Sequence, residues 1–291
     1  MPRIGIIGGS GLYGIEGFEN KKWVRVDTPF GKPSDEYLIG KLNSEEVVFL
    51  PRHGRGHTVL PSQLNYRANI FGMKKLGVEY LISFSAVGSF RKEIKPLDLV
   101  IIDQFVDRTN QARRMTFFGD GVVAHISFAE PICPVLSEVL YSTAEKLAAK
   151  NNITAHKGGT YLNIEGPAFS TEAESFLYKS WGMDVIGMTN MPEAKLAREA
   201  EICFATVAMV TDYDAWHEEE SVVTVDMIIQ NLNKNVEAVK ELIQSVVPHI
   251  PKERNCLCAG ALKNAIITQK ELIPDEKKEE LDLIIGKYLI P

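Results

Sequence analysis

A chain of 291 residues that is 45% hydrophobic and 24% charged has ample apolar side chains for a globular core and needs no staple to build one. Its net charge of -6 and pI near 5.6 exclude the basic excess of a nucleic-acid binder, so any anion site must be local. Residues 1–14 hold one arginine and only a short apolar run, Ile4 to Ile7, which reads as neither a signal peptide nor a membrane anchor. The four cysteines, Cys133, Cys203, Cys256 and Cys258, are too few and scattered for a small secreted disulfide framework, and the chain is placed in the cytosol.

No fixed-period repeat is present, and short β-branched runs alternate with helical stretches, the pattern of an α/β fold in one continuous domain. In chain order, strands are predicted over Arg3–Ile7 and Glu46–Leu50, a helix over Pro61–Leu76, and strands over Tyr80–Ala86 and Leu99–Phe105. A helix over Pro134–Asn151, a strand over Thr160–Ile164, a helix over Thr171–Trp181 and a strand over Val185–Met188 come next. The last are a helix over Pro192–Glu201, a strand over Cys203–Thr211 and a helix over Thr224–Val247; proline suits a first turn and threonine an N-cap. Beyond Pro251 the chain turns polar, carries Cys256-Leu257-Cys258, and ends in a charged amphipathic helix over Glu276–Tyr288. Residues 1–251 are read as the domain and 252–291 as a tail.

Strand ends carry the chemistry. Ile4–Ile7 runs into Gly8-Gly9-Ser10-Gly11-Leu12, where glycines let backbone N–H groups converge on an anion and Ser10 adds a hydroxyl. Gly9 to Gly14 also satisfies the dinucleotide fingerprint, but Gly17, Pro29 and Gly31 do not sustain the helix that fingerprint requires. A nicotinamide enzyme and a merely structural turn both stay open at this point. In Leu50-Pro51-Arg52-His53-Gly54-Arg55-Gly56-His57, Arg52 can fork two donors onto a phosphate, with His53 and Arg55 beside it, or the segment is a solvated basic loop. His53 and His57 are spaced like a metal pair, yet Gly54 and Gly56 argue against the helix that would align them.

The segment Ser83-Phe84-Ser85-Ala86-Val87-Gly88-Ser89 ends an apolar strand in small hydroxyl residues, suited to close approach of a ligand. Thr189, between a strand and a helix start, offers a hydroxyl at a positive helix terminus or serves as an ordinary N-cap. Asp212 and Asp214 close a very apolar strand and, by its period of two, share one face. Two such carboxylates are costly unless satisfied. A 6-aminopurine, with an exocyclic amino group and a protonated ring nitrogen, would satisfy them, whereas the bland alternative is a pair of turn aspartates.

Taken together, GGSGL, TPFGKPSD, LPRHGRGH, NYRAN, SAVGS, IEGP, GMTNMPE and Thr211-Asp212-Tyr213-Asp214 occur in an order that resembles the methylthioadenosine phosphorylases, of the trimeric purine nucleoside phosphorylase family. The likeness runs from residue 3 to about residue 250. It implies a single α/β domain with a central mixed β-sheet, partly barrel-like and surrounded by helices, assembled as a trimer or a dimer of trimers. It implies a phosphate site of Ser10, Arg52, His53, Ser85, Thr189 and the Ala86 N–H. Met188 would pack under the ribose, Phe169 and Ser170 would flank the purine, and Asp212 and Asp214 would hold its N7 and 6-amino edges. Val225, Ile229 and His57 would line a 5'-methylthio pocket, with His125 supplied by an adjacent subunit.

The chemistry so implied is phosphorolysis of 5'-methylthioadenosine to adenine and 5-methylthioribose 1-phosphate, with phosphate as co-substrate and no metal or organic cofactor. Carboxylates accept from a 6-amino group and repel a 6-carbonyl, and an apolar Val225 favours an alkylthio group over a hydroxyl. One of the pair is expected to carry a raised pKa and protonate N7, Asp212 with Asp214 ionised or the reverse, and the order of the two stays open. Two departures stand out: Ala168 replaces an arginine usual in the family, leaving the rigidity of its loop in doubt, and the tail extends past the usual end, its thiols read as inert or as a redox-active pair. The rivals are a 6-oxopurine or methylthioinosine phosphorylase, a dinucleotide-dependent oxidoreductase and a non-catalytic nucleoside-binding module.

Overall fold

The computed structural model describes residues 3–9, 12, 14–110, 113–151, 153–217 and 225–289, of which 151 and 225–227 are described in backbone only. Ser10 lies outside the described residues, as does the side chain of Val225.

Among the described residues eleven strands form one mixed sheet. They are β1 (Arg3–Gly8), β2 (Glu19–Val24), β3 (Tyr37–Leu42), β4 (Glu45–Pro51), β5 (Val78–Ser89), β6 (Leu99–Ile101), β7 (Gln104–Arg108), β8 (Ala155–Lys157), β9 (Thr160–Ile164), β10 (Val185–Gly187) and β11 (Cys203–Tyr213). The main path runs β2-β3-β4-β1-β5-β10-β9-β7, and the sheet branches at β5, which also pairs with β11, followed by β6 and β8. β5 lies parallel to β1 and β11, then meets β10 antiparallel at Gly88 and Ser89. Three strands thus converge around the end of β5, which positions the site. Helices α1 (Tyr66–Lys75), α2 (Pro134–Asn151), α3 (Glu172–Ser180), α4 (Asn190–Glu199) and α5 (Val225–Val246) surround the sheet, with α6 (Asp275–Glu280) and α7 (Asp282–Leu289) in the tail.

The apolar runs predict the central strands because a strand covered on both faces reads as continuous hydrophobicity. β2 and β3 escape that reading: β2 is an exposed, lysine-rich edge and β3 holds Gly40 and Lys41. β8, of three residues, is too short to signal. The predicted strand Leu99–Phe105 is two, since the chain leaves β11 and β8 at Ile102–Asp103 to join β9, and Asp103 Oδ1 accepts from Gly159 N–H at 3.0 Å. The helix predicted from Pro61 begins only at Tyr66, because Asn65 caps it, its Oδ1 accepting from the Ala68 N–H. α4 starts at Asn190, ahead of Pro192. The helix predicted over Glu276–Tyr288 breaks where Leu281 turns into the core, its N–H still donating to the Lys277 carbonyl.

The tail is no free appendage. Cys258, Leu262, Ala265, Ile273, Leu281, Ile284 and Ile285 belong to the same buried cluster as β1, β4 and β11. Among the described residues no helix is long and apolar enough to cross a membrane.

Candidate active site

Arg52 comes directly after β4, held there by its own N–H, which donates to the Gly8 carbonyl at the end of β1 at 2.9 Å. Its side chain is only 2% exposed, and a buried guanidinium needs an acceptor for its charge. Glu193 on α4 supplies it: Arg52 Nε donates to Oε1 at 2.5 Å and Nη2 to Oε2 at 3.0 Å. Nη1 donates to the Phe84 carbonyl at 2.8 Å and Nη2 also to Ser83 Oγ at 2.6 Å. Four of its five N–H donors are so committed, which leaves one for an anion in this arrangement. Asn190 completes the network, its Nδ2 donating to Ser83 Oγ at 2.7 Å and Glu193 Oε2 at 3.1 Å. Sequence reasoning passed over Ser83, Asn190 and Glu193; the available signal was an acidic residue in the first turn of an apolar helix close to a lone buried arginine.

His53 Nδ1 hydrogen-bonds the Val59 carbonyl at 2.8 Å, which places the proton on Nδ1 and leaves Nε2 for a ligand. Burial, reinforced by the neighbouring Arg52 charge, lowers its pKa to about 4. The imidazole is therefore neutral at pH 7. His57 is exposed and stacks on it, ring centroids 4.4 Å apart.

Ser85 and Thr189 are joined through one side chain. Continuing the antiparallel register of Val185 with Ser89 and Ile186 with Gly88 brings Met188 and Thr189 alongside Ala86 and Ser85. Buried Tyr161, on β9, hydrogen-bonds Ser85 Oγ at 3.1 Å and accepts from the Thr189 N–H. Gly187 makes room for it: a Cβ there would sit 1.9 Å from the Tyr161 hydroxyl. Thr189 occupies the N-cap position of α4, yet its side chain makes no capping bond, so its hydroxyl is not spent on the helix. Ala86 is the one residue of 80–89 that is not buried, an opening in an otherwise covered strand.

Asp212 and Asp214 converge on the end of β5. Val210 sits opposite Val87 and Asp212 opposite Gly88, making Thr211 the extra residue of a bulge that re-aims Asp212 and the chain beyond it. Helix α5 braces the bulge: Asn231 Nδ2 donates to the Thr211 carbonyl at 2.7 Å and Asn235 Nδ2 to that of Val210 at 2.9 Å. A Cβ on Gly88 would lie 3.2 Å from Asp212 Oδ2 and 3.5 Å from Asp214 Cβ, so both aspartates flank one glycine, on the shared face that alternation predicts. The Thr211 hydroxyl donates to Asp212 Oδ1 at 2.5 Å. Asp214 Oδ2 is buried without a hydrogen-bond partner, as are Ser170 Oγ and Ser175 Oγ. Burial pushes the Asp214 carboxyl above the usual carboxylate range.

The remaining predicted residues rim this centre. Met188 is half-buried against Gly166, while Phe169 and Ile229 are 52% and 48% exposed. His125 is exposed, its N–H donating to the Ala265 carbonyl at 2.8 Å. Ala168 leaves no arginine in its loop, but buried Arg113 clamps it from elsewhere: Nε donates to Glu165 Oε1 at 3.0 Å, Nη2 to the Glu165 carbonyl at 2.6 Å and Nη1 to the Met188 carbonyl at 2.5 Å. Two surface grooves, one along α5 by Leu97, Ile153 and Lys234 and one between α2 and His249, contain none of the predicted site residues; Asn235, which braces the bulge, lines the first.

Imidazole, hydroxyl and amide groups at or just past the ends of β4, β5 and β10, with paired carboxylates at the end of β11, have the chemistry to hold an anion and a polar heterocycle. Residues 3–248 match the phosphorylase superfamily, and the chain belongs to it. It is 59% identical to the S-methyl-5'-thioadenosine phosphorylase of Geobacter sulfurreducens over 98% of this chain and 99% of that one. The protein of the same name from Koribacter versatilis is 56% identical over 99% of this chain and 97% of its own length. A methylthioadenosine phosphorylase from an Antarctic soil metagenomic library superposes with a TM-score of 0.92 at 47% identity, covering 100% and 99% of the two chains. The methylthioadenosine phosphorylase of Schistosoma mansoni in complex with adenine gives 0.81 at 34% identity, covering 98% of each.

Proposed function

We propose that this chain is a methylthioadenosine phosphorylase, which cleaves the N-glycosidic bond of 5'-methylthioadenosine with inorganic phosphate to give adenine and 5-methylthioribose 1-phosphate. The observation that carries it is the pairing of Asp212 and Asp214 around Gly88, three residues along β5 from Ser85. Three residues of extended chain span about 10 Å, room for one ribosyl unit between a phosphate at Ser85 and a base at Gly88. The near full-length identity to proteins of that name supports the substrate.

In this reading phosphate is held by Ser10, His53, Ser85, the Ala86 N–H and Thr189 at the start of α4, where the helix dipole favours an anion. Arg52 contributes buried positive charge, locked in place by Glu193, and at most a single remaining N–H. Neutral His53 accepts a proton from hydrogen phosphate through Nε2 or gains one when a dianion raises its pKa. As the bond to the base breaks, positive charge grows on the ribose, and the phosphate beneath it both stabilises that charge and captures the anomeric carbon. Met188 supports the ribose, Phe169 and Ser170 the purine, and His57, Val225, Ile229 and a neighbouring subunit's His125 the methylthio group.

The departing adenine is neutralised by protonation at N7. Between the two aspartates that proton is assigned to Asp214, the carboxyl that burial biases toward the protonated form, and its unpartnered Oδ2 is a donor in waiting. Asp212, tied to Thr211, then accepts from the 6-amino group. Phosphate itself is the nucleophile, so the reaction needs no metal or organic cofactor. A trimer or dimer of trimers in the cytosol belongs to the same proposal, supported by the exposure of His125 and Phe169. Turnover of methylthioadenosine that requires phosphate tests the reading, and release of adenine without phosphate would refute it.

A further inference from the structure

Four cysteines meet at the seam between domain and tail. Cys133 immediately precedes α2 and its N–H donates to the Phe204 carbonyl at 2.8 Å, Cys203 opens β11, and Cys256 and Cys258 come from the tail. Their four sulfur atoms all lie within 4.8 Å of one another, Cys203 and Cys256 at 3.3 Å, with Cys133, Cys203 and Cys258 buried and Cys256 half-buried. Disulfide pairing needs sulfurs close only two by two. Here each is close to the other three, as around a tetrahedral centre whose metal–sulfur bonds of about 2.3 Å set sulfur–sulfur edges of about 3.8 Å.

The tail is arranged to deliver both of its thiols. Leu257, between them, is left 90% exposed, an apolar side chain given up to water while Cys256 and Cys258 turn inward.

We infer that Cys133, Cys203, Cys256 and Cys258 form a structural tetrathiolate site for a soft divalent cation, zinc by its donor set, that fastens the tail to the domain. Four sulfur donors with no carboxylate or carbonyl select zinc over magnesium or calcium, and a closed set of four marks a structural site. Binding exchanges thiol protons for the cation and moves no electrons. The fastened tail in turn holds the His125 segment, through the bridge of Ala124 with Ile266 and the His125 N–H bond to Ala265.

The test uses the full-length protein purified under reducing conditions without chelator. Elemental analysis is expected to find about one zinc per chain. Replacement by cobalt should bring sulfur-to-metal charge-transfer bands and the visible bands of tetrahedral cobalt. The Cys256→Ser/Cys258→Ser variant, which spares the more deeply placed Cys133 and Cys203, should lose metal and cobalt bands and melt below the wild type. Less than about one metal per ten wild-type chains, together with four titratable thiols and no cobalt bands, would overturn the proposal. So would an intact mass four hydrogens short, which would assign two disulfides to the cluster.

Discussion

Glu193 touches no part of a bound nucleoside in the proposed site, yet Glu193→Gln is predicted to act on both stability and phosphate use. The substitution keeps the side chain's shape and removes the counter-charge paired with a guanidinium that is 2% exposed. Breaking a buried pair from one side costs about 3–5 kcal/mol, because the remaining charge stays desolvated and alone. Unfolding entropy of roughly 2 cal/mol/K per residue gives about 0.6 kcal/mol per degree for 291 residues, so Tm should fall by about 5–8 °C. Arg52 also loses the brace that sets it against Ser83 and the Phe84 carbonyl, and the KM for phosphate should rise about tenfold or more while that for the nucleoside moves less. Differential scanning fluorimetry and adenine release at varied phosphate read both effects, and Glu193→Asp should recover part of each. A Tm within about 1 °C of wild type with an unchanged phosphate KM would show that the pair neither supports the fold nor orients the site.

Asp214→Asn should lower turnover of methylthioadenosine about a hundredfold and relax discrimination against the inosine analogue; it should also abolish the loss of kcat/KM at rising pH, as expected where the protonated carboxyl is the active form. Unaltered kinetics on both substrates would remove Asp214 from the site. Gly187→Ala would drive a methyl group into Tyr161, at a cost of about 1–3 kcal/mol, and should raise the phosphate KM by loosening Ser85 and Thr189 together. An unchanged KM would mean that Tyr161 does not order them.

Two buried groups should give pH dependences of opposite sign. His53, lowered to about 4, stays neutral in the fold, so wild type should lose about 2–3 kcal/mol relative to His53→Asn as pH falls from 6.5 towards 4. Burial raises Glu199 to about 7, although the Phe117 N–H and the Thr116 hydroxyl oppose the shift. Wild type should therefore lose stability relative to Glu199→Gln as pH rises from about 4.5 through 7. Tm differences that do not vary with pH would contradict either assignment.

The ends of β1, β4, β5 and β11 were legible because buried strands are continuous apolar runs, and polar residues at their ends stand out against them. Hence the segment Ser83–Ser89 and the residues Thr189, Asp212 and Asp214 could be marked from the sequence, while Ser85 and the Ala86 N–H were singled out by the resemblance. The features that lay beyond reach depend on contacts between distant segments. Nothing local says that Glu193 pairs with Arg52 or that Tyr161 bridges Ser85 to Thr189. The roles of the two aspartates could not be ordered either, since they share chemistry and spacing and differ in burial and partners. The same holds for the thiols: Cys256 and Cys258 invite notice as a pair, but Cys133 and Cys203 join them only once α2 and β11 are packed together.

The proposed phosphorolysis is tested most directly by incubating the purified protein with 5'-methylthioadenosine, with and without inorganic phosphate, and measuring adenine, with 5'-methylthioinosine run in parallel. Adenine and 5-methylthioribose 1-phosphate should form only when phosphate is present, with little turnover of the inosine analogue. Adenine released equally without phosphate, or preference for the inosine analogue, would contradict the assignment.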